Sequence, residues 1–329
     1  MTGMDQNRIL YLAAKDVERA GVEMKKIIDT LETVYRQKGQ GDVEMPSKIG
    51  VHTRPNALIH AMPAYVRSTG TVGMKWIGAY PENFRFNVPH VSGLIVLNDE
   101  QTGLPYCIMD CRWITAKRTG AKTAVAAGFF ARKSAASVGI LGCGVQGRSN
   151  LEALCERFSI KHVHAYDVDN DAAMRYADEM SAQFGVEVTV ADVPADAVRQ
   201  MDIVVTAGPI TKEPSPVIEN EWFESGAFAA PVDFDSYWKP QVLKSADLFV
   251  TDDVEQMFYY QSVGYFRNIP AREQVHDLGD VAIKKAPRRS SENQRIIAMN
   301  LGLAIDDMAV APLVYKAAEK MGLGTWLDM

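Results

Sequence analysis

An apolar run that leads into a glycine-rich turn is the feature that most constrains the fold of this chain. Ser137–Leu141 predicts a buried strand and Gln146–Arg157 a helix, and the turn between them reads Gly142-Cys143-Gly144-Val145-Gln146-Gly147. This spacing is typical of dinucleotide binding: Gly142 permits the tight turn, Gly144 lets a pyrophosphate approach the backbone, and Gly147 lets helix and strand pack closely. The N-terminus of the helix would then present unpaired N–H groups to the phosphates.

The segments that follow alternate between strand and helix patterns. The predicted helices are Asp171–Phe184 and the short Pro194–Met201, and the predicted strands are His162–Tyr166, Val186–Val190, Ile203–Ala207 and Leu248–Thr251. Alternation of this kind predicts a doubly wound parallel sheet, here a Rossmann domain over residues 131–302.

Two strand ends in this region carry candidate cofactor ligands. Asp167 ends the second strand at about the twenty-residue distance expected of the acid that binds the adenosine ribose. A carboxylate there would repel a 2′-phosphate, so NAD is favoured over NADP. An Asp at this point can also cap the next helix, although Asp169 can take that role. Thr206 and Gly208 follow the fourth strand and are expected near the cofactor, a plain Gly-Pro turn being equally compatible with Gly208.

The first part of the chain predicts a different architecture. Periodicity indicates one helix over Asp16–Gln37, followed by short strands at Lys48–His52, Ala57–Met62, Gly73–Ile77, Ser92–Leu97 and Leu104–Met109. A helix over Ile114–Phe130 leads into the Rossmann region, and a C-terminal helix over Ala304–Met321 is expected to pack back on the first domain. The fold class is therefore α/β, a Rossmann domain with a second α+β domain formed by residues 1–130 and 303–329.

Composition excludes several classes of function. The net charge is −6, and the basic run Lys284–Arg289 is short enough to be a solvated loop, so neither nucleic acid nor a membrane surface is an expected partner. Met1–Leu10 has no secretory pattern, and no apolar stretch approaches the roughly 18–20 residues of a membrane span. Four cysteines without metal-ligand spacing indicate reduced thiols, a cytoplasmic location and no metal site.

Basic residues in apolar surroundings mark the first domain as the source of substrate groups. Lys48, Lys75 and Arg118 each lie in a segment that otherwise indicates a buried position. A buried cation is costly unless it is paired or functional. The lysines could instead extend to solvent, and Arg118 could form a structural ion pair.

The order of these segments resembles the ornithine cyclodeaminase/mu-crystallin family, most closely its archaeal-type alanine dehydrogenase branch, over nearly the whole chain. The motifs that carry the resemblance include Met45-Pro46-Ser47-Lys48, Gly73-Met74-Lys75-Trp76, Arg118-Thr119, the glycine-rich turn, and Gly302-Leu303-Ala304-Ile305 with Asp307.

This resemblance implies roles residue by residue. Lys48 and Arg118 match the basic groups for the substrate carboxylate, Lys75 matches a lysine of proton transfer, and Asp235 matches the catalytic acid/base. Without the resemblance, Asp235 would more simply belong to a turn. Matched cofactor contacts are Lys239, Thr119, Val145 and Gln146.

Three parts of the sequence depart from the family pattern. His60 stands where the alanine dehydrogenase branch carries Arg, although an ordinary strand histidine is also compatible with it. The segment around Asp235 is usually glycine-rich, whereas here Phe234, Tyr237 and Trp238 add bulk. Asn300 stands in a stretch that usually resembles Asp-Ser-Thr and could hydrogen-bond the substrate.

The function expected from these observations is hydride transfer at the CH–NH₂ or C=N group of an α-amino acid, by an NAD(H)-dependent amino-acid dehydrogenase or imine (ketimine) reductase. One alternative is a cyclodeaminase, which oxidises and re-reduces its substrate without net change in NAD. Another is a non-catalytic ligand-binding protein of the mu-crystallin kind. The resemblance also implies a homodimer formed through the first domain, with an amino acid or keto acid as the small-molecule partner.

Overall fold

The computed structural model describes residues 8–329 and divides the chain into two units. Unit 1 comprises Met1–Arg118 and Leu303–Met329, and unit 2 comprises Thr119–Gly302. The first division falls after Arg118, rather than after residue 130 where the sequence pattern placed it. It lies inside a continuous helix, so no break in periodicity marks it. The expectation about a secretory pattern falls mostly on residues 1–7, outside the described residues.

The elements up to residue 130 form a strand-rich region, as predicted. They are β1 (Arg8–Leu12), α1 (Ala14–Arg19), α2 (Met24–Gly39), β2 (Val43–Glu44), β3 (Ile49–Arg54), β4 (Ala57–Val66), β5 (Thr71–Ala79), β6 (Val91–Asn98), β7 (Pro105–Asp110) and α3 (Arg112–Phe130). The single helix expected over Asp16–Gln37 is wrong. Gly21 has a φ of +62°, a left-handed conformation that ends α1 and separates it from α2.

Residues 131–302 form a parallel sheet with eight strands, as the alternating pattern predicts. The elements are β8 (Ser137–Leu141), α4 (Val145–Arg157), β9 (His162–Tyr166), α5 (Asn170–Phe184), β10 (Glu187–Val190), β11 (Ile203–Thr206), β12 (Phe228–Pro231), α6 (Pro240–Lys244), β13 (Leu248–Thr251), α7 (Val254–Ser262), β14 (Val275–Asp277), α8 (Leu278–Ala282) and β15 (Ile296–Met299). The strand order is β10-β9-β8-β11-β12-β15-β13-β14, and every pairing is parallel. The helix expected at Pro194–Met201 is only a 3₁₀ turn, Pro194–Ala197.

The C-terminal segment returns to unit 1 as α9 (Ala304–Lys320) and β16 (Thr325–Asp328). The strand β16 pairs antiparallel with β1, and α9 packs against α2, β4 and β5. The sheet has the order β16-β1-β7-β6-β5-β4-β2, with β3 also on β4, and only its β1–β7 pair is parallel within the described residues. Alternate residues of β4 and β5 are buried under α9, which places the first turn of that helix over the sheet.

None of the helices within residues 8–329 is long and apolar enough to cross a bilayer. All four cysteines are free thiols, and three of them are buried. In the same residues no group of three or more His, Cys, Asp or Glu side chains is arranged to hold a metal ion.

Candidate active site

Lys75 is the most deeply buried cation of unit 1. It lies on β5 with a fully buried side chain, and its Nζ is 2.6 Å from Oδ2 of Asp307 in the first turn of α9. Burial and the nearby Arg118 guanidinium lower the pKa of Lys75, and the Asp307 carboxylate opposes this shift. The alternative in which Lys75 extends to solvent is therefore wrong. Its amine can change protonation state more readily than that of an ordinary lysine.

Arg118 shares the carboxylates that hold Lys75. Its Nε is 3.4 Å from Asp307 Oδ1, and its Nη1 is 3.5 Å from Asp306 Oδ2. Asp306 is itself fixed, because its Oδ2 accepts the Leu303 N–H at 2.9 Å and its Oδ1 accepts the Tyr35 hydroxyl at 2.9 Å. The ion-pair alternative for Arg118 is therefore realised. It does not exclude a substrate role, since a guanidinium has five N–H donors.

Lys48 and His60 belong to the same buried group. Lys48 directly precedes β3, His60 lies on β4, and both are 8% exposed. Burial, followed by the charges of Lys48, His52 and Lys75, lowers the pKa of His60 to about 3. His60 is therefore neutral at pH 7 in a cationic environment. Such an environment attracts a carboxylate ligand.

The structure thus brings together the four predicted site residues of unit 1, which are Lys48, His60, Lys75 and Arg118. Two further residues, which the sequence did not single out for the site, lie with them. Asp306 and Asp307 are fully buried in the first turn of α9. Acidic residues are favoured in the first turn of any helix, so their sequence position alone indicates only helix stabilisation. Asp307 does belong to one of the motifs that carry the family resemblance, and this motif was the sequence signal for its place in the site.

The glycine-rich turn of unit 2 has the geometry that its sequence predicts. Gly142 has a φ of +106°, and a Cβ there would lie 2.6 Å from the Ala207 carbonyl oxygen. A Cβ on Gly147 would lie 2.3 Å from the Gly142 carbonyl oxygen, whereas one on Gly144 would meet no described atom within 4 Å. The turn is therefore closely packed on both sides of an open position. The N-cap residue of α4 is Gly144, which has no side chain to cap the helix, so the first N–H groups of α4 can meet an anion.

Asp167 contacts this turn directly. Its Oδ2 accepts the Cys143 N–H at 2.8 Å, and its Oδ1 accepts the Asp169 N–H at 3.0 Å. Asp169, rather than Asp167, accepts the Asp171 N–H and caps α5. The carboxylate of Asp167 is thus held beside the turn.

Thr206 and Gly208 are fixed by Asp233, which sequence reasoning missed. The buried Asp233 carboxylate accepts the Thr206 hydroxyl at 2.6 Å and the Gly208 N–H at 2.9 Å. Trp238 Nε1 donates to the same Thr206 oxygen at 3.0 Å. Burial raises the pKa of Asp233 to about 7. The only sequence signal for Asp233 was its place just after a strand. An acidic residue in that place is also common in turns, as the alternative interpretation of Asp235 shows.

Asp235 and Asn300 follow two neighbouring strands, β12 and β15. Asp235 is 6% exposed, and its pKa is raised by burial, while the charge of Arg267 lowers it. Asn300 is 3% exposed, and neither atom of its side-chain amide has a hydrogen-bond partner among residues 8–329. Both therefore lie at the carboxyl edge of the sheet, where α/β folds bind ligands.

The remaining predicted cofactor residues have different environments. Lys239 precedes α6, and its Nζ forms an ion pair with Glu219 on a half-exposed surface. Thr119 is buried in α3, and Val145 at the start of α4 is 67% exposed. The side-chain oxygen of Gln146 is buried without a hydrogen-bond partner in the described part of the chain.

Unit 2 also contains a buried ion pair that was missed from the sequence. Lys122 Nζ lies 2.5 Å from Asp252 Oδ2, and both side chains are fully buried. The Asp252 carboxylate also accepts the N–H groups of Leu301 and Gly302, at 3.0 and 2.8 Å. Asp252 thereby fixes the segment that follows Asn300.

Comparison with known proteins identifies the class to which this fold and these residues belong. The profile of the ornithine cyclodeaminase/mu-crystallin family matches residues 9–322. The chain belongs to that family. Among characterised relatives, the nodulation efficiency protein NfeD of Rhizobium meliloti is 32% identical over 96% of this chain and 98% of its own length. Alanine dehydrogenase of Archaeoglobus fulgidus is 33% identical over 96% of this chain and 97% of its own length.

Two solved structures share this fold over nearly their whole length. Thermococcus litoralis Δ1-pyrroline-2-carboxylate reductase, in complex with NADH and L-proline, has a TM-score of 0.88 at 28% identity and covers 96% of this chain and 99% of its own. An archaeal alanine dehydrogenase dimer with bound NAD has a TM-score of 0.87 at 29% identity and covers 98% and 99%. The fold class and the family expected from the sequence are confirmed.

Proposed function

We propose that this protein is an NAD(H)-dependent oxidoreductase that acts on the CH–NH₂ group of an α-amino acid or on the corresponding C=N group. The observation that carries the proposal is Lys75, an amine whose pKa is lowered by full burial beside Arg118. The relatives named as an alanine dehydrogenase and a Δ1-pyrroline-2-carboxylate reductase support this reaction class.

NAD is the proposed cofactor, and the residues of unit 2 fit it. Gly144 offers an open position and the uncapped start of α4 offers N–H groups for the pyrophosphate. Asp167 offers a carboxylate for the ribose hydroxyls. A bound NAD would supply the acceptor for hydride from the substrate carbon, and a bound NADH would supply the donor in the reverse direction.

The protein residues supply binding and proton transfer. The guanidinium of Arg118 and the cation of Lys48 are proposed to bind the substrate carboxylate. In the oxidative direction the amine must lose a proton, and water must then be deprotonated as it attacks the iminium carbon. Lys75 and Asp235 can take these protons, because their pKa values are shifted toward each other, one lowered and the other raised. His60 is neutral and adds no charge to the cations that surround it.

A substrate screen tests this proposal. NADH oxidation is followed with keto acids plus ammonia or methylamine, and with cyclic imino acids such as Δ1-pyrroline-2-carboxylate. Stoichiometric NADH loss with one of these compounds is expected, and it would identify the nitrogen donor. Ornithine with NAD is run in parallel. Ammonia and a cyclic amino acid formed without net NADH change would replace the proposal with a cyclodeaminase, and tight ligand binding without turnover on any compound would replace it with a binding protein.

Replacement of Asp167 by serine should change cofactor preference. We expect NADH binding to weaken by about tenfold or more and the discrimination against NADPH to narrow, because a charged hydrogen-bond acceptor and a repulsive charge are both removed. Fluorescence titration with each cofactor measures this. The matched control is Asp169→Ser, which alters the cap of α5 and should leave cofactor preference unchanged. If the Asp167 variant kept the native preference for NADH over NADPH, Asp167 would not be a ligand of the ribose.

We propose a homodimer formed through the open face of the unit 1 sheet. Ile49, Ala61, Trp76 and Leu94 are register partners across β3, β4, β5 and β6. Three of them are large apolar side chains, exposed by 63%, 45% and 40%. A contiguous exposed apolar row is typical of an interface. The archaeal alanine dehydrogenase structure, described as a dimer, supports the dimeric state.

Trp76→Glu should therefore yield a monomer at micromolar concentration, because a charge is placed at the centre of the apolar row. Light scattering measures the mass. Met321→Glu is the control, since Met321 is 54% exposed just after α9, the helix that covers the other sheet face. A native protein that is already monomeric, or a Trp76 variant that remains dimeric, would contradict this interface.

A cytoplasmic location is also proposed. All four cysteines are free, which fits a reducing compartment. The proposed cofactor chemistry requires a pool of NAD, and the same compartment supplies it. Detection of the protein in a fractionated cell would test this location.

A further inference from the structure

The loop that carries Asp235 contains a bulky residue in a conformation that glycine adopts easily. Phe234 has a φ of +63°, which lies in the left-handed region that residues with a Cβ rarely adopt. The residue directly precedes Asp235, so its backbone sets the direction from which the Asp235 side chain leaves the chain. A non-glycine residue keeps such a conformation only where its surroundings fix it.

The surroundings of Phe234 are an aromatic cluster formed with Tyr260, Tyr265 and Phe266. The ring centroid of Phe234 lies 4.5 Å from that of Phe266, 5.4 Å from that of Tyr260 and 5.7 Å from that of Tyr265. All four side chains are at most 6% exposed. Aromatic pairs at these separations attract one another beyond the effect of simple burial. The ring of Phe234 is thus held on three sides.

Phe266 repeats the pattern on the other side of the cluster. It too is left-handed, with a φ of +51°, and its carbonyl oxygen accepts the side-chain amide of Gln261 at 3.0 Å. The charged residue that follows it, Arg267, acts electrostatically on Asp235. Each of the two packed rings therefore precedes a charged residue, and the packing holds both backbone segments.

We propose that Phe234 is a positioning residue for Asp235, whose carboxyl direction and burial are fixed by the packing of the Phe234 ring against Tyr260, Tyr265 and Phe266. The inference rests on the proposed function for the catalytic role of Asp235, but not for the packing itself. The cluster restricts the conformations of this loop, and the Asp235 carboxyl is therefore held in one position before the substrate binds.

Several other charged and titratable groups face this region. Asp233 lies on the same loop, Arg267 follows Phe266, and Lys212 Nζ lies 5.3 Å from the Tyr265 ring centroid. Tyr260 and Tyr265 have pKa values raised by burial and stay neutral at pH 7. A change in the titration of Asp235 must therefore be compared with that of Asp233.

Two variants test the proposal from opposite sides of the cluster. Phe234→Gly removes the ring but accepts the positive φ, and Phe266→Leu removes the facing ring without altering the loop of Asp235. We expect both to lower kcat by about tenfold to a hundredfold, as small misplacements of a catalytic group do, with little change in NADH binding. Phe130→Leu is the matched control, because it removes a fully buried ring elsewhere in unit 2.

Carbon NMR of protein labelled at the aspartate carboxyl groups gives a readout independent of turnover, with Asp235→Asn and Asp233→Asn used for assignment. Water admitted by either cluster variant should lower the pKa of Asp235 toward the ordinary carboxyl value, and the Phe130 control should not change it. Native kcat and native Asp235 titration in both cluster variants would overturn the proposal. If Asp235→Asn retains full turnover, the proposed catalytic role fails instead, and the titration alone still decides whether Phe234 positions Asp235.

Discussion

Replacement of Lys75 by methionine should lower kcat/KM by about a thousandfold, the range that a positioned proton-transfer group contributes. Methionine keeps the length and apolar character of the side chain but has no proton to exchange. Lys75 is fully buried with its Nζ 2.6 Å from Asp307, so few solvent molecules can replace its amine. The loss should appear in kcat as well as in KM, because proton transfer is part of the reaction and not only of binding.

Two comparisons make this result interpretable. Lys25→Met alters an exposed lysine on α2, in the same unit as Lys75, and it should leave turnover within about twofold of native, as surface changes usually do. NADH binding to unit 2 should be unchanged in the Lys75 variant, and thermal unfolding should show that unit 1, which carries Lys75, is folded as well. Asp307→Asn should lower the pKa of Lys75 further, because it removes the charge that opposes the shift. A Lys75 variant with native kcat and intact NADH binding would refute the proposed mechanism.

The parts of the fold that depend on local pattern could be predicted from the sequence. The strand Ser137–Leu141 has the predicted bounds, because a continuous apolar run ended by a polar turn indicates a buried parallel strand. The strand His162–Tyr166 also has the predicted bounds, and its buried positions alternate with more exposed ones. The break at Gly21 was missed, since apolar spacing continues in phase on both sides of it. The strand β16 was missed because it is short and exposed, and only its pairing with β1 shows that it belongs to the sheet.

The residues of the candidate site also differ in how far the sequence alone could identify them. Lys48, Lys75 and Arg118 could be named because a cation in an apolar segment is unusual wherever it occurs. Asp307 and Asp233 could not be assigned their roles, because an acid at a helix start or after a strand is ordinary in sequence. Their importance depends on contacts with Lys75 and with Thr206, residues far away along the chain. The lowered pKa of His60 likewise depends on its burial and on the cations around it in three dimensions.

Replacement of Asp235 by asparagine should also lower turnover by about a thousandfold and should remove one limb of the pH profile. Burial raises the pKa of Asp235, so the carboxylate forms at a higher pH than in an ordinary aspartate. As a base in the oxidative direction, Asp235 is active when ionised, and kcat should rise as the pH increases through this raised pKa. In the reductive direction it must donate a proton, and kcat should fall over the same interval.

The asparagine variant separates these effects from folding. Removal of a carboxyl group whose pKa is raised in the folded state removes an unfavourable buried charge above that pKa, so stability at pH 8 should be equal or higher. Low turnover in a protein of undiminished stability would then identify a chemical role. Asp192→Asn, at an exposed position of unit 2, is the control for the loss of one negative charge. If both pH limbs persist in the Asp235 variant, the titrating group is another one, and Asp233, whose pKa burial raises to about 7, becomes the residue to replace next.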